Sequence, residues 1–306
     1  MSFARRLLLR ASRSPWLARE LRRRAFIRRA VRRFMPGEDL AAAMEAAAGL
    51  AEIRIGTLFT ELGEQVTSRA EAEGVRDHYL AVLQRVRERT LPAQLSVKLT
   101  HLGLDVDREA CLANLRTLVS RAAETGSFVW IDMEESRYVD RTLDLFRRVR
   151  AERANTGVCL QAYLRRTPAD LAALLPLGPA IRLVKGAYNE PPEIAFPKKR
   201  DVDARYFELA GRLLAHAPVG ALPVFGTHDL RLIARIRSRA AALGIGQRTY
   251  EFHMLFGIRS AEQRALASQG CTVRVLISYG TAWFAWYMRR LAERPANVWF
   301  VLRNLI

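Results

Sequence analysis

Lysine is almost missing from this chain. Lys98, Lys185, Lys198 and Lys199 are the only four among 49 basic residues, so the positive charge is nearly all arginine. Cysteine is equally sparse: Cys111, Cys159 and Cys271 lie far apart, are odd in number and form no Cys-x-x-Cys. That argues against a disulfide framework or a cysteine zinc cage and fits a reducing compartment. No apolar run reaches the ~18 residues a bilayer span needs. No apolar core followed by a small-residue cleavage site opens the chain, so no secretory signal is expected. Histidine occurs five times, and only His228-Asp229 could start a metal site. His78, His101, His216 and His253 add no spaced ligand set, and no metal is expected. There is no low-complexity segment.

What is present is apolar bulk and unevenly placed charge. Half of the 306 residues are apolar, enough to bury a large core and to exclude a mainly disordered chain. Residues 1–35 hold twelve arginines and one acid, Glu20, a net +11 of the total +18. The remaining 271 residues carry only about +7, so no basic groove is expected across the whole fold. Residues 3–34 read as a basic amphipathic helix, broken by Pro36-Gly37, and Glu38-Asp39 opens an alanine-rich helix over about 39–51.

From there the chain alternates. Strand-like runs fall near 53–59, 94–99, 127–132, 157–163, 180–185, 221–226, 248–253 and 271–277. Helical spacing fills 67–89, 108–123, 136–153, 168–175, 202–215, 229–243 and 260–269. The strands lack a polar face, as expected for strands covered on both sides. Eight strands alternating with helices favour a closed (β/α)8 barrel of the TIM type over an open doubly wound sheet. The open sheet also lacks its phosphate loop, because no Gly-x-Gly-x-x-Gly follows the first strand. The expected division is 1–52 for the N-terminal helices and 53–306 for the barrel, with a C-terminal helix over the barrel mouth.

Barrel chemistry sits at the C-terminal strand ends. Here those ends carry Lys98 to Thr100, Asp132 to Glu135, Gln161 to Tyr163, Arg182 with Lys185 to Tyr188, Thr227 to Asp229, Glu251 with His253, and Ser278 to Gly280. Seven strands ending this way predict a functional mouth. Near the C-terminus Arg289 and Glu293 are four apart and share a helix face. They form either an exposed ion pair worth less than ~1 kcal/mol or part of a guanidinium fork gripping a carboxylate.

These runs resemble the proline dehydrogenase family, in order from about residue 30 to the C-terminus. The resemblance rests on Ser96-Val-Lys98-Leu, Ile131-Asp132-Met133-Glu134-Glu135-Ser136, Leu160-Gln161-Ala162-Tyr163-Leu164, Arg182-Leu-Val184-Lys185-Gly186-Ala187-Tyr188, Thr227-His228-Asp229, Glu251-Phe252, Tyr279-Gly280-Thr281 and Arg289-Arg290-Leu-Ala-Glu293. It implies a distorted barrel binding FAD, oxidation of L-proline to Δ1-pyrroline-5-carboxylate, and electron transfer to a membrane quinone. It further implies Asp132 as the active-site acid and Arg182 against the reactive flavin nitrogen. Met133, Gln161, Val184, Lys185, Gly186, Thr227 and His228 would line FAD. Lys98, Arg289 and Arg290 would bind the carboxylate, with Glu293 holding one arm, and Tyr188 and Leu255 would pack on the substrate or flavin face.

Four residues, in three motifs, depart from the family pattern. Leu276 stands where a Tyr is common, with Ser278 in place of Pro. Trp286 stands where Tyr precedes the double arginine, and His253 where Gln is usual. Leu276 and Trp286 bound the expected substrate pocket, so a related imino acid such as 4-hydroxyproline is the alternative substrate, and a weakened enzyme stays open. A basic membrane- or nucleic-acid-binding barrel is the rival without catalysis. It leaves the strand-end residues without a role, and no specific nucleic-acid partner is expected. A metal-dependent hydrolase lacks ligands. The expected location is cytoplasmic, with the basic segment 3–34 contacting anionic lipid at the inner membrane face or only capping the barrel. Oligomeric state is open.

Overall fold

The structure is a computed structural model that describes residues 31–63 and 66–284. Its first helix, α1 (Leu40–Glu52), is capped by Asp39, whose side chain accepts the Ala42 N–H at 2.7 Å. There follow β1 (Gly56–Glu61), α2 (Arg69–Glu88), β2 (Ala93–Val97), α3 (Arg108–Glu124), β3 (Val129–Ile131), a short 3₁₀ turn and α4 (Val139–Glu152). The chain continues through β4 (Thr156–Gln161), α5 (Thr167–Leu174), β5 (Ala180–Val184), α6 (Lys199–His216) and β6 (Leu222–Gly226). It then runs through α7 (Leu230–Ala242), β7 (Glu251–Leu255), α8 (Ser260–Ser268) and β8 (Thr272–Tyr279).

All eight strands pair in parallel with their sequence neighbours, and β8 closes on β1, giving the expected (β/α)8 barrel. The main core lies between strands and helices. A smaller apolar group of Leu58, Trp130, Ala180 and Val224, with Phe128, Leu222 and Leu276 against it, fills the barrel interior. β4 is buried at every position, which is why it showed no alternation.

Two strands start three residues later than expected. β1 begins three residues after the expected start because Ile53, Arg54 and Ile55 donate their N–H groups back to α1 carbonyls, with Arg54 at φ +59°. β7 begins at Glu251 because residues 246–249 form a turn, closed by Thr249 N to Gly246 O at 3.0 Å. Glu251 therefore stands at the inner end of its strand, and the expectation that placed it at the mouth is corrected. The expected helix over 3–34 lies almost wholly outside the described residues, as does the C-terminal helix.

Candidate active site

Asp132 is the hub of the mouth. It leaves β3, a strand of only three residues, and its N–H still donates to Val97 O at 2.8 Å. Its Oδ1 accepts from Ser96 Oγ at 2.9 Å and from Arg182 NH2, and its Oδ2 accepts from Lys98 Nζ at 3.1 Å. Arg182 NH2 also reaches Ser96 Oγ at 2.9 Å. Burial raises the Asp132 pKa. The charges of Lys98 and Arg182 and the hydrogen bonds from Lys98 and Ser96 outweigh it, so the group lies below its ordinary value. Asp132 is thus a fixed carboxylate holding two cations. Arg182 is 5% exposed, and its guanidinium lies 5.4 Å from the Trp130 ring centre.

The neighbouring strand ends form a continuous polar wall. Gln161 Nε2 donates to the carbonyls of Met133 and Glu134, both at 3.3 Å, while its buried Oε1 has no hydrogen-bond partner among the described residues. Gly186 adopts φ +108°, and a Cβ there would stand 2.1 Å from the Tyr163 ring. Only glycine meets both conditions, so the backbone after β5 stays bare. Val184 pairs in register with Gly226, whose missing side chain leaves room for Val184 Cγ1. His228 Nε2 accepts the Leu255 N–H at 2.8 Å, which keeps that nitrogen unprotonated. Thr227 Oγ1 accepts from Asp229 N at 3.1 Å. Lys185 Nζ donates to Asp203 at 2.5 Å and Asp229 at 2.8 Å.

Lys199 and Asp203 join that charge group without having been singled out from the sequence, and Trp130 was missed as well. The lysine scarcity was a usable signal for Lys199, and Asp203 lies one helical turn after it. Nothing local marked Trp130 as an interior residue, because both faces of its strand are buried.

An orphaned buried acceptor, a bare glycine backbone and a fixed cation along one wall suit a flat, polar-edged cofactor. The FAD that the resemblance implies fits these residues.

Leu276 pairs in register with Leu255 and with Leu58, an inward-facing apolar strip across β7, β8 and β1. Tyr188 is half-buried in the segment after β5. Trp286, Arg289, Arg290 and Glu293 lie outside the described residues. Tyr279, at the end of β8, instead faces outward, its OH 2.9 Å from His78 Nε2 on α2. His253 lies inside the barrel and below the mouth, bonded to Glu251 at 2.9 Å. Among the described residues no three His, Cys, Asp or Glu side chains cluster as metal ligands.

The sequence profile of the proline dehydrogenase family matches residues 43–303. Proline dehydrogenase 1 of Bacillus subtilis is 37% identical over 275 residues, covering 90% of each chain. The proline dehydrogenase of Deinococcus radiodurans is 36% identical over 279 residues, covering 90% of this chain and 89% of the other. Among solved structures, proline utilization A (PutA) from Bdellovibrio bacteriovorus, inactivated by N-propargylglycine, superposes with a TM-score of 0.81 at 24% identity. The match takes in 87% of this chain but 33% of that longer one, and it speaks to the fold alone.

Proposed function

This chain belongs to the proline dehydrogenase family, and on that premise we propose that it oxidises L-proline to Δ1-pyrroline-5-carboxylate with FAD as the hydride acceptor. The observation that carries this reading is the Lys98–Asp132–Arg182 group, with Asp132 holding both cations at the mouth. FAD, when bound, accepts the hydride from the ring carbon beside the nitrogen, and the chain's own residues do the rest.

Lys98 presents a fixed positive charge to the substrate carboxylate, with Arg289 and Arg290 as its proposed companions and Glu293 steadying them. Leu255 and Leu276 form the apolar wall for the ring, and Tyr188 and Trp286 complete the pocket. Holding the donor carbon there supplies the orientation that hydride transfer needs, and closing the mouth excludes water. Arg182 sets a cation where negative charge collects during reduction. Because Asp132 is held ionised by two cations, its role is to fix Lys98 and Arg182, and it is a poor acceptor for the substrate's amine proton. Met133, Gln161, Val184, Lys185, Gly186, Thr227 and His228 would hold the cofactor.

A related reading concerns the substrate. Leu276 brings no hydroxyl to its strip, so a ring bearing its own hydroxyl, as in 4-hydroxyproline, is the second candidate. Electrons then pass to a quinone. We assign residues 1–52 to an N-terminal unit and 53–306 to the catalytic barrel, in the cytoplasm at the inner membrane face. The described strap at 31–39 supports that orientation. Gly280 N donates to Glu38 O and Trp283 Nε1 to Glu38 Oε1, and the Arg33 carbonyl lies where a Cβ of Gly257 would stand. The strap thus crosses the C-terminal ends of β7 and β8.

The deciding experiment is an anaerobic visible spectrum before and after L-proline. Flavin bands that bleach support the reading. Bands that persist with proline but bleach with 4-hydroxyproline move the substrate, and Leu276→Tyr then shifts preference back toward proline. A protein without flavin overturns the proposal.

A further inference from the structure

The barrel interior holds a polar column that substrate binding does not use. Register places Glu251, His253 and Arg274 on the inner face of β7 and β8. Glu251 Oε2 accepts from Arg274 Nε at 2.8 Å and from His253 Nε2 at 2.9 Å. Gly56 gives Arg274 its room, since a Cβ there would stand 2.6 Å from Arg274 NH1. The His253 ring in turn meets Trp130 edge to face, with centroids 5.2 Å apart at 82°. Trp130 is fully buried, donates its Nε1 to Gln94 Oε1 at 2.8 Å, and carries the Arg182 guanidinium at 5.4 Å. Gly157 has given up its side chain to admit it, for a Cβ there would come within 2.6 Å of Trp130 Cζ3.

The column is costly. Three ionisable groups stand inside a barrel, and among the described residues His253 Nδ1 is buried without a hydrogen-bond partner. A buried polar group that persists unpaired calls for a functional explanation. Burial drives the His253 pKa down to about 4, despite the neighbouring Glu251 carboxylate, so the ring is neutral and contributes shape in place of charge. That shape matters because the hydrogen bonds from Arg182 to Ser96 and to Asp132 run from the same terminal nitrogen, Nη2. They pin one corner of the guanidinium, and the Trp130 ring lies against it, its centre 5.4 Å from the guanidinium carbon.

We propose that His253 is a positioning residue: its ring braces Trp130, Trp130 holds the plane of the Arg182 guanidinium, and the brace thereby sets the reduction potential of the flavin that Arg182 faces. The proposal rests on the reading that FAD binds beside Arg182. A ring at this position is also where the chain departs from the glutamine usual in its family.

The test compares wild type, His253→Gln and His253→Phe as purified flavoproteins. His253→Gln keeps a donor for Glu251 but loses the ring edge, and His253→Phe keeps the ring edge but loses the donor. The readouts are the flavin potential from anaerobic dye-coupled titration, kcat and KM for proline, and the unfolding midpoint. His253→Gln is expected to shift the flavin reduction equilibrium about tenfold toward the oxidised form, which is about 30 mV for a two-electron couple. Its kcat should fall by a similar factor with KM within twofold, and His253→Phe should restore both to within twofold of wild type. If both variants keep the wild-type potential and kcat while only the midpoint moves, the residue is merely structural and the proposal fails. It fails equally if His253→Phe is impaired as much as His253→Gln, or if only His253→Phe is impaired. Wild type without a reducible flavin sinks the FAD reading itself, a separate result visible before any variant is made.

Discussion

Asp132 shows how one carboxylate organises several functions. Its partners come from β2 and β5, and its own strand ends just before it, leaving the side chain over the mouth. Asp132→Asn removes the charge that holds Lys98 and Arg182 together and leaves two partly buried cations facing each other. The expected cost is about 3 kcal/mol of stability, with kcat/KM for proline falling by at least a hundredfold. Denaturant unfolding and steady-state kinetics measure the two losses. His101 gives a pH test. Burial, Lys98 and His78 lower its pKa from 6.5 to about 4. The folded state therefore binds fewer protons than the unfolded one between those values. The stability this confers is complete above pH 6.5 and is lost as pH falls toward 4, at up to ~1.4 kcal/mol per pH unit for one proton. His101→Gln should flatten that slope in unfolding midpoints measured from pH 7 to pH 4.5. An unchanged slope would show that His101 is not the titrating group. His253 adds a second slope of the same sign in both proteins.

At the scale of elements, helix starts were the most legible. Asp39, Ser68, Asp107 and Asp229 each accept a backbone N–H at the start of a helix, and short-range capping needs no tertiary partner. The late starts of β1 and β7 were hidden because apolar, β-branched residues suit a helix terminus or a turn as well as a strand. β4 and β3 then meet at a close approach: a Cβ on Gly157 would clash with the Trp130 ring and with Ala180 O at 2.9 Å. Gly157→Ala should cost about 1–3 kcal/mol by overpacking. The cost should also appear as weaker flavin retention, since the displaced ring is the one beneath Arg182. Full stability in the variant would mean that the ring shifts freely.

Across the whole molecule, charge is segregated. Outside the barrel, arginines on one helix reach acids on or near the next, as in Arg69–Asp107 at 2.9 Å, Arg116–Glu152 at 2.5 Å and Arg148–Glu109 at 2.7 Å. Each such exposed pair is worth under ~1 kcal/mol, so this belt neutralises the surface more than it stabilises it. The unbalanced charge is left in residues 1–35 of the sequence, and the strap at 31–39 that follows from it crosses the mouth side of the barrel. Removing residues 1–30 while keeping the strap should weaken binding to anionic vesicles by more than tenfold at low salt. That follows from about 1 kcal/mol per basic residue near the surface. Flavin content should stay unchanged. Equal vesicle binding by both forms would leave the segment no lipid role.

The sequence by itself determined the eightfold alternation, the approximate helix starts and the strand-end motifs that mark the family, because each is written in neighbouring residues. It also gave Asp132, Lys98 and Arg182 as separate candidates. Only the tertiary structure decided that Arg182 and Lys98 converge on one carboxylate, that Glu251 sits at the inner end of its strand, and that His253 and Trp130 meet edge to face beneath the mouth. The reason is geometric: a closed barrel brings residues 86 positions apart, such as Ser96 and Arg182, within 2.9 Å, and strands buried on both faces carry no alternation to say which side chains point inward.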